Sequence, residues 1–264
     1  MSTSIIPPNR IKQALQAGQA VAGTMVVEIR QPAVMQLLAN AGFDFVIIDN
    51  EHGAFNLETI ADLSRTAIYV GLTPLVRIPD LTYPYVAQTL DAGAQGIMAP
   101  RITEPEQVRQ AVQMMKYPPL GQRGNALSRG YTNFKSGPVG EVMAAVNEET
   151  MLIVQIETRP ALENLEQIIT IPGVDAALIG PNDLSIALGV PGQLESSTLH
   201  TAISHTITAC QQHGVTPALH MNEVNLAVYW VKQGMRLISV GSEAGLMMKG
   251  GLGVTTALAE ALGR

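Results

Sequence analysis

A single cysteine, Cys210, in 264 residues leaves no disulfide framework and no thiol-rich metal centre within the chain, and this sparing use suits a reducing cytoplasm. Charge is scarce too. Only 14% of the residues are Asp, Glu, Lys or Arg, the net charge is −6, and Lys and Arg form no cluster anywhere. That balance argues against nucleic acid or an anionic membrane surface as partner and favours small molecules. No run of about eighteen apolar residues occurs, so no membrane span is expected. The opening MSTSIIPPNRIKQAL has no charged segment leading into a long apolar stretch, so no secretory signal is expected either. A GxGxxG after the first strand pattern is missing, which disfavours a dinucleotide-binding open sheet. The five lysines, Lys12, Lys116, Lys135, Lys232 and Lys249, all fall away from expected strand ends. Schiff-base chemistry, which needs a desolvated lysine on the scaffold, is thereby set aside.

Apolar sequence is plentiful, at 47%, enough for one domain to bury about three quarters of its unfolded surface. Short runs rich in Val, Ile and Leu alternate with helix-period segments. Strands are expected to begin at Gly23 (GTMVVE), Asp44 (DFVIID), Pro74 (PLVR), Gly96 (GIMAP), Met151 (MLIVQIE), Asp175 (DAALIG), Val215 (VTPALH) and Arg236 (RLISVGS). Helical patterns such as LETIADLSRTAIYVG and EPEQVRQAVQMMKY separate them, several stopped by glycine. Continuously apolar strands alternating with helices require a parallel sheet covered on both faces. About eight such units point to a closed (β/α)8 TIM barrel, a single domain over residues 1–264, with an open doubly wound sheet as the alternative. The irregular stretch from Tyr117 to Pro138 is too long for a plain connector and reads as a lid or interface loop.

In a barrel the site forms where strands end, so polar strand ends carry the candidates. DFVIIDNEHG delivers Asp49, Asn50, Glu51 and His52; PLVR delivers Arg77; VQIE delivers Gln155 and Glu157; the GPND turn delivers Gly180, Pro181, Asn182 and Asp183. Glu157 with Asp183 makes an oxygen-rich pair suited to Mg2+ or Mn2+, or else two helix-capping acids. His52 is a candidate base, since imidazole titrates at about pH 6.5, or a histidine satisfying loop carbonyls. Arg77 would meet an oxyanion or hold two strand ends together by a salt bridge. The backbone N–H groups of the GPND turn offer a seat for a carboxylate. Asp91, at a helix end, is by itself an ordinary solvated carboxylate. Arg101 follows GIMAP at the mouth and would read a second carboxylate or pair with a neighbouring helix. His220, closing VTPALH, either satisfies a loop, as such a histidine more often does, or serves as a ligand, and His200, His205 and His213 share one helical stretch as surface residues.

IDNEHG, LVRIP, LDAGAQGIMAP, YPPLGQRG, VQIETRPALENLEQIITIPGVDAALIGPNDLS and ISVGSE together resemble the motifs of the metal-dependent (class II) pyruvate aldolases of the 4-hydroxy-2-oxoheptanedioate aldolase family, from about residue 10 to the last helix. The resemblance implies a (β/α)8 barrel lyase that reversibly cleaves a 4-hydroxy-2-oxo acid to pyruvate and an aldehyde, as in aromatic or sugar-acid catabolism. It implies Glu157 and Asp183 as ligands of Mg2+, Mn2+ or Co2+ with no organic cofactor, and Gln155, Asn182 and Asp183 against substrate. By the same resemblance His52 accepts the proton, Arg77 stabilises the transition state, and Asp91 raises the basicity of the histidine. A metal-stabilised pyruvate enolate would carry the charge of the broken bond. A homohexamer, a dimer of trimers with the last helix exchanged between subunits, is likewise implied. A lyase of the citramalyl- or malyl-CoA type and a barrel kept only for binding are the alternatives. Few arginines near strand ends disfavour the first, and the joint presence of His52, Arg77, Glu157 and Asp183 disfavours the second.

Overall fold

The computed structural model describes residues 5–259 and 261–263. Eight parallel strands close into a barrel in chain order: β1 (Val21–Val26), β2 (Phe45–Asp49), β3 (Thr73–Arg77), β4 (Gly96–Ala99), β5 (Met151–Ile156), β6 (Ala176–Ile179), β7 (Thr216–Met221) and β8 (Leu237–Ser242). Pairing of β1 with β8 shuts the ring and overturns the open-sheet alternative. Each strand begins within two residues of its expected start, because runs buried on both faces announce themselves by composition.

Strand side chains alternate, and the two sets make two cores. Phe45, Ile47, Leu75, Met98, Ile153 and Leu178 fill the barrel interior with their counterparts on the other strands. Val46, Ile48, Val76, Ile97, Leu152 and Val154 face outward against the helices. Gly23 is needed here, since a Cβ would lie 2.5 Å from the Phe45 ring. Continuing the inward parity to the strand ends brings Asp49, Arg77, Gln155, Gly180 and His220 around the axis at the mouth.

Capping explains the connecting helices. Asn56 accepts the Thr59 N–H at 2.8 Å to start Leu57–Val70, and Gly71, at φ 92°, ends it. Glu104 and Gln107 form a capping box at the head of Pro105–Met115. Glu243 opens the last helix, Glu243–Leu258, and its buried carboxylate accepts the N–H groups of Val27, Glu28 and Ile29 at 2.7 to 3.0 Å, tying the exit of β8 to that of β1. Elsewhere this helix is exposed and apolar: Met247, Met248, Leu252 and Val254 are all at least 58% accessible.

The Tyr117–Pro138 stretch stays irregular except for one 3-10 turn, Gly130–Thr132. It is not a lid. Helix Pro105–Met115 carries the chain from the mouth to the opposite end of the barrel, so the segment that follows packs outside, against Leu57–Val70 and Tyr83–Ala92. Arg123 is buried there between the rings of Tyr117 and Tyr131 and pairs with Asp91 at 2.5 Å. Among the described residues no helix is long and apolar enough to cross a membrane.

Candidate active site

The acidic end of β2 is explained first by its neighbour. Arg77 at the end of β3 is in register with Asp49, and its guanidinium forms a fork: Nε to Asp49 Oδ1 at 2.8 Å and Nη2 to Oδ2 at 2.6 Å, with Nη1 3.0 Å from Glu51 Oε2. Burial opposes ionisation of Asp49, but the Arg77 bonds and charge and the N–H groups of Glu51 and His52 outweigh it and hold the carboxyl below its usual range. Arg77 is correspondingly held more firmly charged: burial works against it, and Asp49, Glu51 and Glu157 overcome this. Asp49 Oδ1 also accepts the Glu51 N–H at 3.0 Å and the His52 N–H at 3.4 Å. One carboxylate therefore sets both the guanidinium plane and the turn that carries His52.

Across the barrel Glu157 is buried just beyond β5. Its Oε1 accepts the Arg101 N–H at 2.8 Å and its Oε2 accepts Gln155 Nε2 at 2.5 Å. Burial pushes its carboxyl up, the Arg101 N–H opposes this, and the negative charges of Glu51 and Asp183 push it further. Asp183 lies in the first turn of helix Pro181–Ala187, whose Pro181 and cap Gly180 follow β6 directly. A Cβ on Gly180 would sit 3.1 Å from Gln155 Nε2 and 3.3 Å from Glu157 Oε2, so glycine lets the two strand exits close up. Gln155 Oε1 is buried and has no hydrogen-bond partner among the described residues. Its orientation is fixed, because the amide nitrogen must face the carboxylate.

His52, Arg77, Gln155, Gly180, Pro181, Asn182, Asp183 and His220 line one cavity of about 170 Å³ floored by Met25, Met98 and Leu178. Asp49 and Glu157 are not among its lining residues but are hydrogen-bonded to two that are, Arg77 and Gln155, and two further candidates stand apart from it. Arg101 lends its backbone: at φ 53° its N–H is aimed at Glu157, while its side chain is exposed and does not line the cavity. Asp91 ends helix Tyr83–Ala92 at the opposite end of the barrel, paired with Arg123, so the chain does not bring it to its own His52. Two residues do more than the sequence reading gave them: Glu51, named there without a role, pairs with Arg77 as no spacing reveals, and His220, read first as a loop-satisfying histidine, lines the cavity. The parity Ala218, His220 was the available signal. Lys116 is buried with its ammonium pushed down to about 8 by burial, but its Nζ donates to Asn147 O, Thr150 O and Thr150 Oγ1, remote from the mouth.

Glu157 and Asp183 are a hard, all-oxygen pair that fits a divalent cation of the Mg2+ or Mn2+ kind, for which two carboxylates and several waters are ordinary company. Among the described residues no group of three or more His, Cys, Asp or Glu is placed to hold a metal ion by itself.

The model of the HpcH/HpaI aldolase/citrate lyase family matches residues 24–250, and the chain belongs to that family. It is 34% identical over 245 residues to a 4-hydroxy-2-oxo-heptane-1,7-dioate aldolase of Klebsiella pneumoniae, covering 92% of this chain and 91% of that one. It is 35% identical over 213 residues to a 4-hydroxy-4-methyl-2-oxoglutarate aldolase of Chaetomium globosum, covering 80% and 79%. The crystal structure of an HpcH/HpaI aldolase from Desulfitobacterium hafniense superposes with a TM-score of 0.89 at 33% identity, covering 94% and 96% of the two chains.

Proposed function

We propose that the protein is a divalent-metal-dependent pyruvate aldolase that cleaves a 4-hydroxy-2-oxo acid to pyruvate and an aldehyde, and joins them in reverse. The observation that carries this reading is one small cavity lined by Asp183, by a guanidinium that Asp49 fixes and by Gln155, whose amide is bonded to the buried acid Glu157. Glu157 and Asp183 would hold the cation, which when bound supplies a Lewis acid for the oxygen on which charge develops. Arg77 lines the cavity and would meet that developing charge without reorganising, because Asp49 has already set its plane. His52, carried on the turn that Asp49 organises, takes the C4 hydroxyl proton as the C3–C4 bond breaks. The N–H groups of Asn182 and Asp183 and the Gln155 amide receive the 2-oxo acid end. The apolar floor excludes water from the carbon that gains charge.

Asp91 can serve only a His52 of a neighbouring copy, since within the chain it lies at the far end. The exposed apolar face of helix Glu243–Leu258 suits the exchange of that helix between subunits in a homohexamer. The cytoplasm is its proposed compartment, on composition alone. A CoA lyase fits less well, because among the described residues Arg77 is the single Arg or Lys lining the cavity.

Release of pyruvate from a panel of 4-hydroxy-2-oxo acids tests the reading. Activity should vanish with chelator and return with Mg2+, Mn2+ or Co2+. Turnover indifferent to chelation would refute the metal-dependent mechanism, and turnover of acyl-CoA substrates alone would replace it by the lyase alternative.

A further inference from the structure

His220 takes no part in the cleavage just described, yet it stands in the innermost ring of the mouth. Register pairs it with Ser239 of β8 and, carried one residue beyond β6, sets it beside Gly180. Its Nδ1 lies 2.9 Å from Ser239 Oγ. Ser239 is fully buried, and its hydroxyl has no other hydrogen-bond partner among the described residues. A buried hydroxyl must place its proton, and Nδ1 is the acceptor within reach, so the O–H donates to Nδ1. That bond fixes the tautomer with hydrogen on Nε2. Nε2 itself has no partner among the described residues, and the ring lines the cavity.

Burial and the charge of Arg77, opposed by Asp49, push the imidazole down to about 4. It is therefore a neutral donor at physiological pH, neither a useful base nor a cation. The rest of the floor, Met25, Met98 and Leu178, is apolar. Glu157 and Asp183 stand at the exits of β5 and β6, next to β7, whereas His52 follows β2 across the ring. A 2-oxo acid seated over β5 and β6 with its C4 oxygen toward His52 would carry C3 across the mouth, within the cavity that His220 lines. A bare methyl there leaves the Nε2–H facing carbon, its hydrogen bond unmade.

We infer that this pocket is built for a 2-oxo acid fragment carrying a hydroxyl on C3, which accepts a hydrogen bond from His220 Nε2–H and is thereby preferred over pyruvate as the carbon nucleophile. The inference rests on the aldolase reading above and narrows its substrate. In the synthetic direction a C3 proton leaves the 3-hydroxy-2-oxo acid, C3 bonds to the aldehyde carbon, and the aldehyde oxygen takes up a proton, giving a 3,4-dihydroxy-2-oxo acid. No oxidant or reductant enters.

The test compares kcat/KM for 3-hydroxypyruvate and pyruvate with one common aldehyde, in wild type, His220→Leu and Ser239→Ala. Wild type should favour 3-hydroxypyruvate. The ratio should fall roughly tenfold in His220→Leu, the worth of one good hydrogen bond, and several-fold in Ser239→Ala, where the tautomer is released. An isotope-labelled histidine spectrum of the metal-free protein should show His220 as the Nε2–H tautomer at neutral pH. Pyruvate turnover without a 3-hydroxypyruvate preference, a ratio unmoved by both variants, or an Nδ1–H tautomer overturns the inference and leaves the aldolase intact. Turnover of neither acid overturns both. Should His220→Leu fail to fold, Ser239→Ala and the spectrum still decide.

Discussion

At the residue scale, the central fact is that Arg77, Asp49 and Glu51 hold one another in the mouth. Asp49 forks Arg77 and binds the turn of His52, so Asp49→Asn should lower activity by well over tenfold. It should also destabilise the protein by about 3–5 kcal/mol, the usual result of stripping one partner from a buried ion pair; denaturant melts and steady-state kinetics check both. Glu157 is the opposite case. Its carboxyl is raised in the fold, so the stability it contributes is complete below the ordinary glutamate range and is lost as pH rises through the raised value. In metal-free protein Glu157→Gln should therefore raise the melting temperature at pH 8 and change it little at pH 4. A divalent cation should stabilise wild type more at pH 8 than at pH 5, and the variant at neither. An equal cation effect at both pH values, or one surviving in Glu157→Gln, would contradict the assignment. His220, held down at about 4, contributes stability that is present above pH 6.5 and is lost as pH falls toward 4. Replacing it by Leu should spare the protein on the order of 3 kcal/mol of that acid loss.

At the element scale, sequence revealed what repeats and concealed what is local. Eight apolar runs announced eight strands, and their polar ends announced where the mouth would be, because burial on both faces leaves only the exits free for charge. The direction of side chains was readable too: alternation from Phe45 through Ile47 to Asp49, and from Ala218 to His220, assigns both ends to the interior. What stayed hidden were features that need two segments at once. The left-handed Arg101, whose N–H reaches Glu157, looked like a substrate-reading cation or the partner of a neighbouring helix, and the Tyr117–Pro138 stretch looked like a lid or an interface loop. A left-handed non-glycine residue costs about 1 kcal/mol, so Arg101→Gly should keep metal affinity and gain slightly in stability. A selective loss on dicarboxylate substrates in Arg101→Ala would restore a role for its side chain. Gly180→Ala should weaken cation binding about tenfold, through displacement of Gln155 and Glu157 rather than loss of a ligand; calorimetric titration with Mn2+ measures it.

At the scale of the whole molecule, ring closure brings the exits of β2, β3, β5 and β6 around one mouth, so that a fixed cation and an acid pair share it. Helix Glu243–Leu258, apolar and uncovered by its own chain, adds a second level of organisation. Met247→Glu with Leu252→Glu should shift the assembly toward smaller species in sedimentation, and an unchanged mass would remove the helix from any subunit interface. The claim on which the rest depends is that the mouth stabilises negative charge on the C2 oxygen of a 2-oxo acid, and this can be isolated from aldehyde chemistry. Pyruvate alone, in deuterium oxide with Mn2+-reconstituted protein removed before proton NMR, should lose its methyl signal at a rate that chelator abolishes and Arg77→Ala lowers by about two orders of magnitude. No exchange in wild type, or exchange as fast in Arg77→Ala, would contradict the account.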